Sequence, residues 1–274
     1  MKFTSRILLL LLLVVLAGLF SSNMLLKRQY DQVDKSDLYW TYNKVLEQPF
    51  KYLKISGGNI TNIAFEQSAN PSVRLLQEWV RFHGGEIKAN VKNDTLYINF
   101  DFKPANLYEK FWLQHQTPVR IFAPQLLLVD GDNTNFEMFK LKQKSINVSM
   151  TGKSSFEVES MLPVMDTINV YQKDSSEVVF EMSPDYNKKP VEDNDQPKTV
   201  TIKSQQGGTI TFTPPNEPNK FNESMSINSV TADLKDHSIL DIGHAQVHSL
   251  QLQVSDSSAV ILSGGALKKL PKPF

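Results

Sequence analysis

Histidine is scarce in this chain: His83, His115, His237, His244 and His248 are the complete set. Three of them fall in one acidic stretch, where Asp233, Asp236, His237, Asp241, His244 and His248 carry the ligand types of a divalent-metal site. A metal site requires convergence. Alternation through this stretch puts Asp236 and His237 in a corner and Asp241 and His244 at outward or loop positions, which predicts a solvated turn face and no metal. Glycan hydrolysis requires two carboxylates facing each other across a groove. Asp130 with Asp132, and Glu157 with Glu159, are close in sequence, yet each reads as a turn or outward strand residue. There is no nucleophile elbow and no phosphate loop, and Gly57-Gly58, Gly84-Gly85, Gly207-Gly208 and Gly264-Gly265 read as corners. The expectation is therefore a protein that is not an enzyme, with no catalytic residue, no metal and no cofactor. The residues that bind its partner are not legible.

Composition narrows the partners. Lys plus Arg equals Asp plus Glu at 29 each, so the chain exerts no broad pull on polyanions and no nucleic acid is expected. It has no cysteine, which removes disulfides, thiolate metal sites and lipid acylation on sulfur. Hydrophobic residues make up 41% of its 274 residues, enough for a substantial core.

The elements that would position any surface chemistry show themselves as an internal repeat. Written from Leu250, the pattern is LQLQVSDSSAVILSG; gapless copies start at Leu53, Leu126, Ile146, Ile168, Val200 and Val230. Positions one, three, eleven and thirteen are apolar in all seven copies, so each copy holds two short strands with one buried face. Position nine is small: Thr61, Thr134, Ser154, Ser176, Gly208, Ser238 and Ser258. Position seven is Asn59, Asp132, Asp174, Asp236 or Asp256 in five copies and Gly152 or Gln206 in the others, which is turn chemistry. Start-to-start spacings are 73, 20, 22, 32, 30 and 20 residues, with inserts near 71–86, 184–198 and 214–224. The first gap holds a helix-like stretch from Val73 to Phe82, a strand at Leu96–Phe100, and an aromatic segment, Leu107–Leu113, with no evident place. A unit this small cannot close its own core. Stacking predicts an all-β, single-stranded β-helix or β-solenoid with rungs of about 20 residues, the alternative being a β-sandwich.

Ahead of the repeats, Lys2 and Arg6 precede an apolar segment from Ile7 to Leu26, and Lys27 and Arg28 follow it. Its 20 residues match, as a helix, a hydrocarbon core about 30 Å thick. Residues 1–28 are thus expected to be a membrane anchor or uncleaved signal segment, with 7–26 in the lipid bilayer, and residues 29–48 a juxtamembrane stalk. The domain at 49–270 would then sit in the periplasm or outside the cell, on a single pass through the inner membrane.

Four stretches carry a family resemblance: FKYLKISGGNITNIAFEQ (Phe50–Gln67), VKNDTLYINF (Val91–Phe100), TPVRIFAPQLLLVDGDNTNFE (Thr117–Glu137) and LQLQVSDSSAVILSGGALKKL (Leu250–Leu270). They resemble the head GIN domain family, the adhesin-head proteins of Bacteroidetes-type cell envelopes. The resemblance implies a right-handed β-helix and an envelope location, and implies no catalytic residues. Together these readings predict a membrane-anchored, non-catalytic binding or structural module for an envelope glycan or protein. A β-helix enzyme acting on polysaccharide is the alternative.

Overall fold

In the computed structural model the chain is described over residues 3–31, 34–83, 85–102, 106–139, 141–161, 166–182, 199–204, 207–213, 226–243 and 246–262. It divides into two units, Met1–Asn43 and Lys44–Phe274.

The first unit is built on helix α1, Phe3–Asp31. At 1.5 Å per residue its 29 residues extend about 43 Å. Ile7–Asp31 is long and apolar enough to cross a membrane, with mean hydropathy 2.5, and its Leu, Val and Phe side chains are exposed on every face. Past α1, two Asx turns fold the chain: Asp34 accepts from the Ser36 amide and hydroxyl, and Asp37 from the Tyr39 amide. The two bonds from Ser36 hold the Asp34 carboxyl below its ordinary pKa.

The second unit is mostly β. After β1 (Tyr42–Leu46) come β2 (Tyr52–Ser56), β3 (Ile63–Gln67), β4 (Ser72–Leu76), helix α2 (Gln77–His83), β5 (Ile87–Lys92) and β6 (Thr95–Phe100). Helix α3 (Leu107–Leu113) leads to β7 (Val119–Ala123), β8 (Leu128–Asp132) and β9 (Asn135–Phe139). Five further pairs of strands follow: β10 (Ser145–Thr151) and β11 (Ser155–Met161), β12 (Thr167–Gln172) and β13 (Glu177–Met182), β14 (Thr199–Ser204) and β15 (Thr209–Thr213), β16 (Ser226–Leu234) and β17 (Ile239–Gly243), and β18 (Gln246–Val254) and β19 (Ala259–Leu262).

Two mixed sheets result, of ten and nine strands. The first strand of every repeat copy lies in the nine-stranded sheet and the second in the ten-stranded one. Pairing between copies is parallel, whereas β4 pairs with β7 and β5 with β6 in antiparallel fashion. Buried residues of both sheets form one core. Ile63, Phe136, Phe156, Val178, Ile210 and Leu240 make a column on the ten-stranded side, all at 0% exposure. Each such side chain stabilises the fold by about 1.5–3 kcal/mol relative to leaving it in water. Phe136, Phe156 and Phe180 follow one another with ring centroids 6.0 Å apart.

From Ile146 onward the expected register holds: Ile146, Ile168, Val200, Val230 and Leu250 pair in sequence. The two earlier copies depart from it on their first strands. Val129, not Leu128, pairs with Val148, a slip of one residue, and Leu53 pairs with Val129 rather than with Leu126. The cause is corner length. Residues 133–134 turn the Leu126 copy, 152–154 the next one, and 57–62 the first. Leu126, Leu127, Leu128 and Val129 are all apolar, so a pattern match cannot tell one register from its neighbour. The slip puts Gly131 on the buried face, where a Cβ would lie 2.8 Å from Met150 Sδ; the long Met150 side chain fills that space.

The corners carry the turn chemistry. Asn133, Asp174, Asp236 and His237 have positive φ, as do Gly152 and Gly207. Thr61, Thr134, Ser154, Ser176 and Ser238 are buried beneath the corners. The Ser176 hydroxyl donates to Lys173 O within its own corner and to Met150 O of the neighbouring copy. Ser154 Oγ accepts from the Thr134 amide.

The first insert differs from the expected helix over Val73–Phe82. Ser72–Leu76 is a strand, and α2 starts only at Gln77. Val73 and Leu75 alternate into the core, so two-residue periodicity prevails there, and the helix buries Trp79 at 1% exposure. The Pro-rich inserts at 184–198 and 214–224 lie outside the described residues.

Candidate functional site

The first strands of the copies present alternate side chains to the core and to the outer face of the nine-stranded sheet. At one end of that face Lys54, Lys88, Asn90, Tyr97, Asn99 and Asp130 line a shallow depression of about 450 Å³. Lys54 on β2 stands between Tyr97 on β6 and Asp130 on β8, since β2 pairs with both strands. Lys54 Nζ lies 3.0 Å from Asp130 Oδ2. That bond, then the Asp130 charge, raises the Lys54 ammonium above its ordinary pKa. Asp132 accepts from the Thr151 hydroxyl at 2.9 Å. Farther along the face Asn169 Nδ2 donates to Asn147 Oδ1, and Asn147 Nδ2 to Leu127 O, forming an amide ladder. Tyr52, Tyr97 and Tyr171 remain 37%, 38% and 40% exposed. Aromatic faces among amide, hydroxyl and carboxylate groups suit a ligand with apolar C–H faces and many hydroxyls.

Glu137 marks the outer face of the other sheet. Burial, then the charge of Glu159, raises its carboxyl above the ordinary value, against the pull of Arg120. Arg120 itself lies 2.6 Å from Glu66. Glu157 pairs with Glu137 in the ladder, so the sequence pair Glu157 and Glu159 belongs to this acidic patch.

The aromatic segment that the sequence could not place is α3. Asn106 caps it by accepting from the Glu109 amide at 2.9 Å. Leu113 is buried, whereas Leu107, Tyr108 and Phe111 are 84%, 91% and 68% exposed. His115 lies one turn beyond Phe111, with ring centroids 4.9 Å apart.

Among the described residues no three of His, Asp and Glu converge as metal ligands. Asp233 pairs with Lys235 at 3.3 Å, His237 is exposed in its corner, and His248 faces Ile227 O. His244 lies outside the described residues. Asp130 and Asp132 both reach the depression around Lys54, which sequence proximity alone does not reveal. The signal for that site was the outward set Lys54, Tyr97 and Asp130, drawn from segments far apart in the chain.

No family model matches the chain, and no curated protein matches it in sequence. Among solved structures it is similar to a "putative adhesin" of Bacteroides fragilis NCTC 9343, at 12% identity and a TM-score of 0.50, over 81% of this chain and 96% of that one. A "putative lipid binding protein" of Parabacteroides distasonis ATCC 8503 is 11% identical with a TM-score of 0.44, over 81% of this chain and 94% of the other. A "putative adhesin" of the same organism is 10% identical with a TM-score of 0.41, over 82% and 94%. At 12% identity the Bacteroides fragilis likeness is one of fold.

Proposed function

We propose that the chain is a membrane-anchored, non-catalytic binding module of the bacterial cell envelope, adhesin-like, built as a GIN-type β-solenoid and held at the membrane by α1. The observation that carries this reading is the outer face of the nine-stranded sheet. It is broad and polar, studded with exposed tyrosines, and hollowed around Lys54, Tyr97 and Asp130. Extended faces of stacked repeats suit long ligands that make many weak contacts. Support for the solenoid comes from parallel, in-register pairing of copies that follow one another along the chain. An N-terminal apolar helix and the fold likeness to an adhesin-named protein agree with an envelope role. Two measurements test it. An alkaline phosphatase fused behind Phe274 should be active, because this reporter works only after export, and residues 32–274 should be retained by purified cell-envelope fragments. An inactive but stable fusion, or a domain that washes off the fragments, would remove the proposal. The rival, a polysaccharide-cleaving enzyme, draws on Glu137, whose raised pKa suits a proton donor, beside Glu159. Release of reducing ends from envelope glycan, abolished by Glu137→Gln, would favour that rival.

A further inference from the structure

The register of the nine-stranded sheet lays one position from each strand into a single row. From β6 to β18 it runs Tyr97, Lys54, Asp130, Ser149, Tyr171, Lys203, Asp233 and Gln253. The order Tyr, Lys, Asp occurs twice in this row, with Ser149 between. The repetition is invisible along the chain, because β6 follows β2 in sequence but precedes it in the sheet. Corresponding residues are four strands apart, which at about 4.8 Å per strand is roughly 19 Å. Both tyrosines are about two-fifths exposed, at 38% and 40%. The acidic groups of the row are each matched by a lysine, Asp130 by Lys54 at 3.0 Å and Asp233 by Lys235 at 3.3 Å.

We infer that this row is a track for an extended, uncharged, β-1,4-linked glycan lying across the strands, with Tyr97 and Tyr171 as two equivalent stacking positions. The inference rests on the reading of the domain as an envelope-binding module and names its ligand class. Three physical points support it. Adjacent rings of an extended β-1,4-linked chain advance by nearly one strand spacing, so rings can stay in step with the row. Such a chain turns its faces over at every ring, so two rings four apart present the same face, and two identical tyrosines can receive them. The row itself holds two lysines and two aspartates, so its formal charge sums to zero and gives no pull on a polyanion, while Ser149 and Gln253 and the neighbouring Asn147–Asn169 ladder offer hydroxyl and amide partners for sugar hydroxyls.

Chito-oligosaccharides of graded length are the probe, with calorimetric titration of residues 32–274 as the readout. Chitohexaose, long enough to meet both tyrosines, should bind about tenfold or more tighter than chitotriose, which reaches one. Tyr97→Ala or Tyr171→Ala should each bring chitohexaose down to the chitotriose level. Tyr97→Phe, which keeps the ring, should restore most of the loss, and Glu177→Gln, at an exposed position of the ten-stranded sheet, should leave the length dependence intact. An affinity that does not rise with length, or that neither alanine variant lowers, would overturn the track. Tighter binding of a hyaluronan hexasaccharide than of chitohexaose would overturn the uncharged assignment. If envelope fragments retain the Tyr97→Ala/Tyr171→Ala double variant as well as the unaltered domain, the track is wrong and the wider reading stands. If they retain neither protein and chitohexaose does not bind, both fall.

Discussion

Ile202 and Leu252 occupy equivalent places in the repeat, linked through Ala232 in one buried row, yet their exposures are 1% and 41%. Leu252 belongs to β18, at the end of its sheet, with a partner strand on one side in the ladder. Periodicity therefore predicts the direction of a side chain better than its burial. Ile202→Asp should lower the stability of the domain by several kcal/mol in urea unfolding, because a carboxylate would be buried without a partner. Leu252→Asp should cost clearly less, and the outward Thr201→Asp less than about 1 kcal/mol. Glu137 gives a second expectation at this scale. Its folded-state pKa is raised by burial and by Glu159, above a reference of 4.5. Below that reference the carboxyl is protonated whether folded or not and has no effect. As pH rises through it and on through the raised value, the folded state ionises less readily than the unfolded, so stability falls and then levels off. Glu137→Gln should therefore raise the urea midpoint at neutral pH and leave it unchanged in acid. An equal gain at both would assign the effect to packing instead.

At the scale of elements, the hairpin of β5 and β6 turns on Asn93 and Asp94 with φ of 50° and 57°, the two-residue turn whose backbone twist matches paired strands. The Asp94 carbonyl also accepts from the Lys51 and Tyr52 amides at the start of β2. Asp94→Gly should be neutral or stabilising by about 0.5 kcal/mol, because glycine adopts positive φ freely. Asp94→Val should cost about 1–2 kcal/mol by thermal melting, because a β-branched residue is strained there. Asn-Asp between alternating runs was a legible hairpin signal, although only Leu96–Phe100 was read as a strand. What the sequence does disclose well is the pairs of short strands. Every copy became two strands, since Ile, Val and Phe at alternate positions leave no other way to bury one face. Its limits are equally physical. Corner length sets register, and a run such as Leu126 to Val129 satisfies several registers at once. The site around Lys54 was illegible because β2 is neighboured by β6 and β8, and no local pattern in Leu53–Gln67 states which strands will flank it.

For the whole molecule, α1 dictates behaviour in extraction. Its stretch Ile7–Asp31 is long and apolar enough to cross a membrane, and retention there as an anchor is the role proposed above. The full-length protein should stay in the membrane pellet through a high-salt wash and leave it only in detergent, whereas residues 32–274 should be soluble. Release by salt alone would indicate an electrostatic attachment, which the neutral composition gives no reason to expect.

The placing of β2 between β6 and β8 also bears on the order of assembly. From Ile146 onward each new pair of strands docks on its predecessor after 20 to 32 residues of chain, as Ile146 with Ile168 and Ile168 with Val200 show. Leu53, by contrast, meets its first partner only at Leu96 and its second at Val129, and Ile63 only at Val119 and then Phe136. Closing those long loops carries an entropic cost that short-range contacts avoid, so residues 119–139 are expected to set the pace. Phe136→Ala is then expected to slow refolding, whereas Leu240→Ala, on a strand added later, should chiefly hasten unfolding. A chain delivered from its N-terminus would carry an unfinished first copy until that stretch emerged, after which each following pair of strands would find a ready edge.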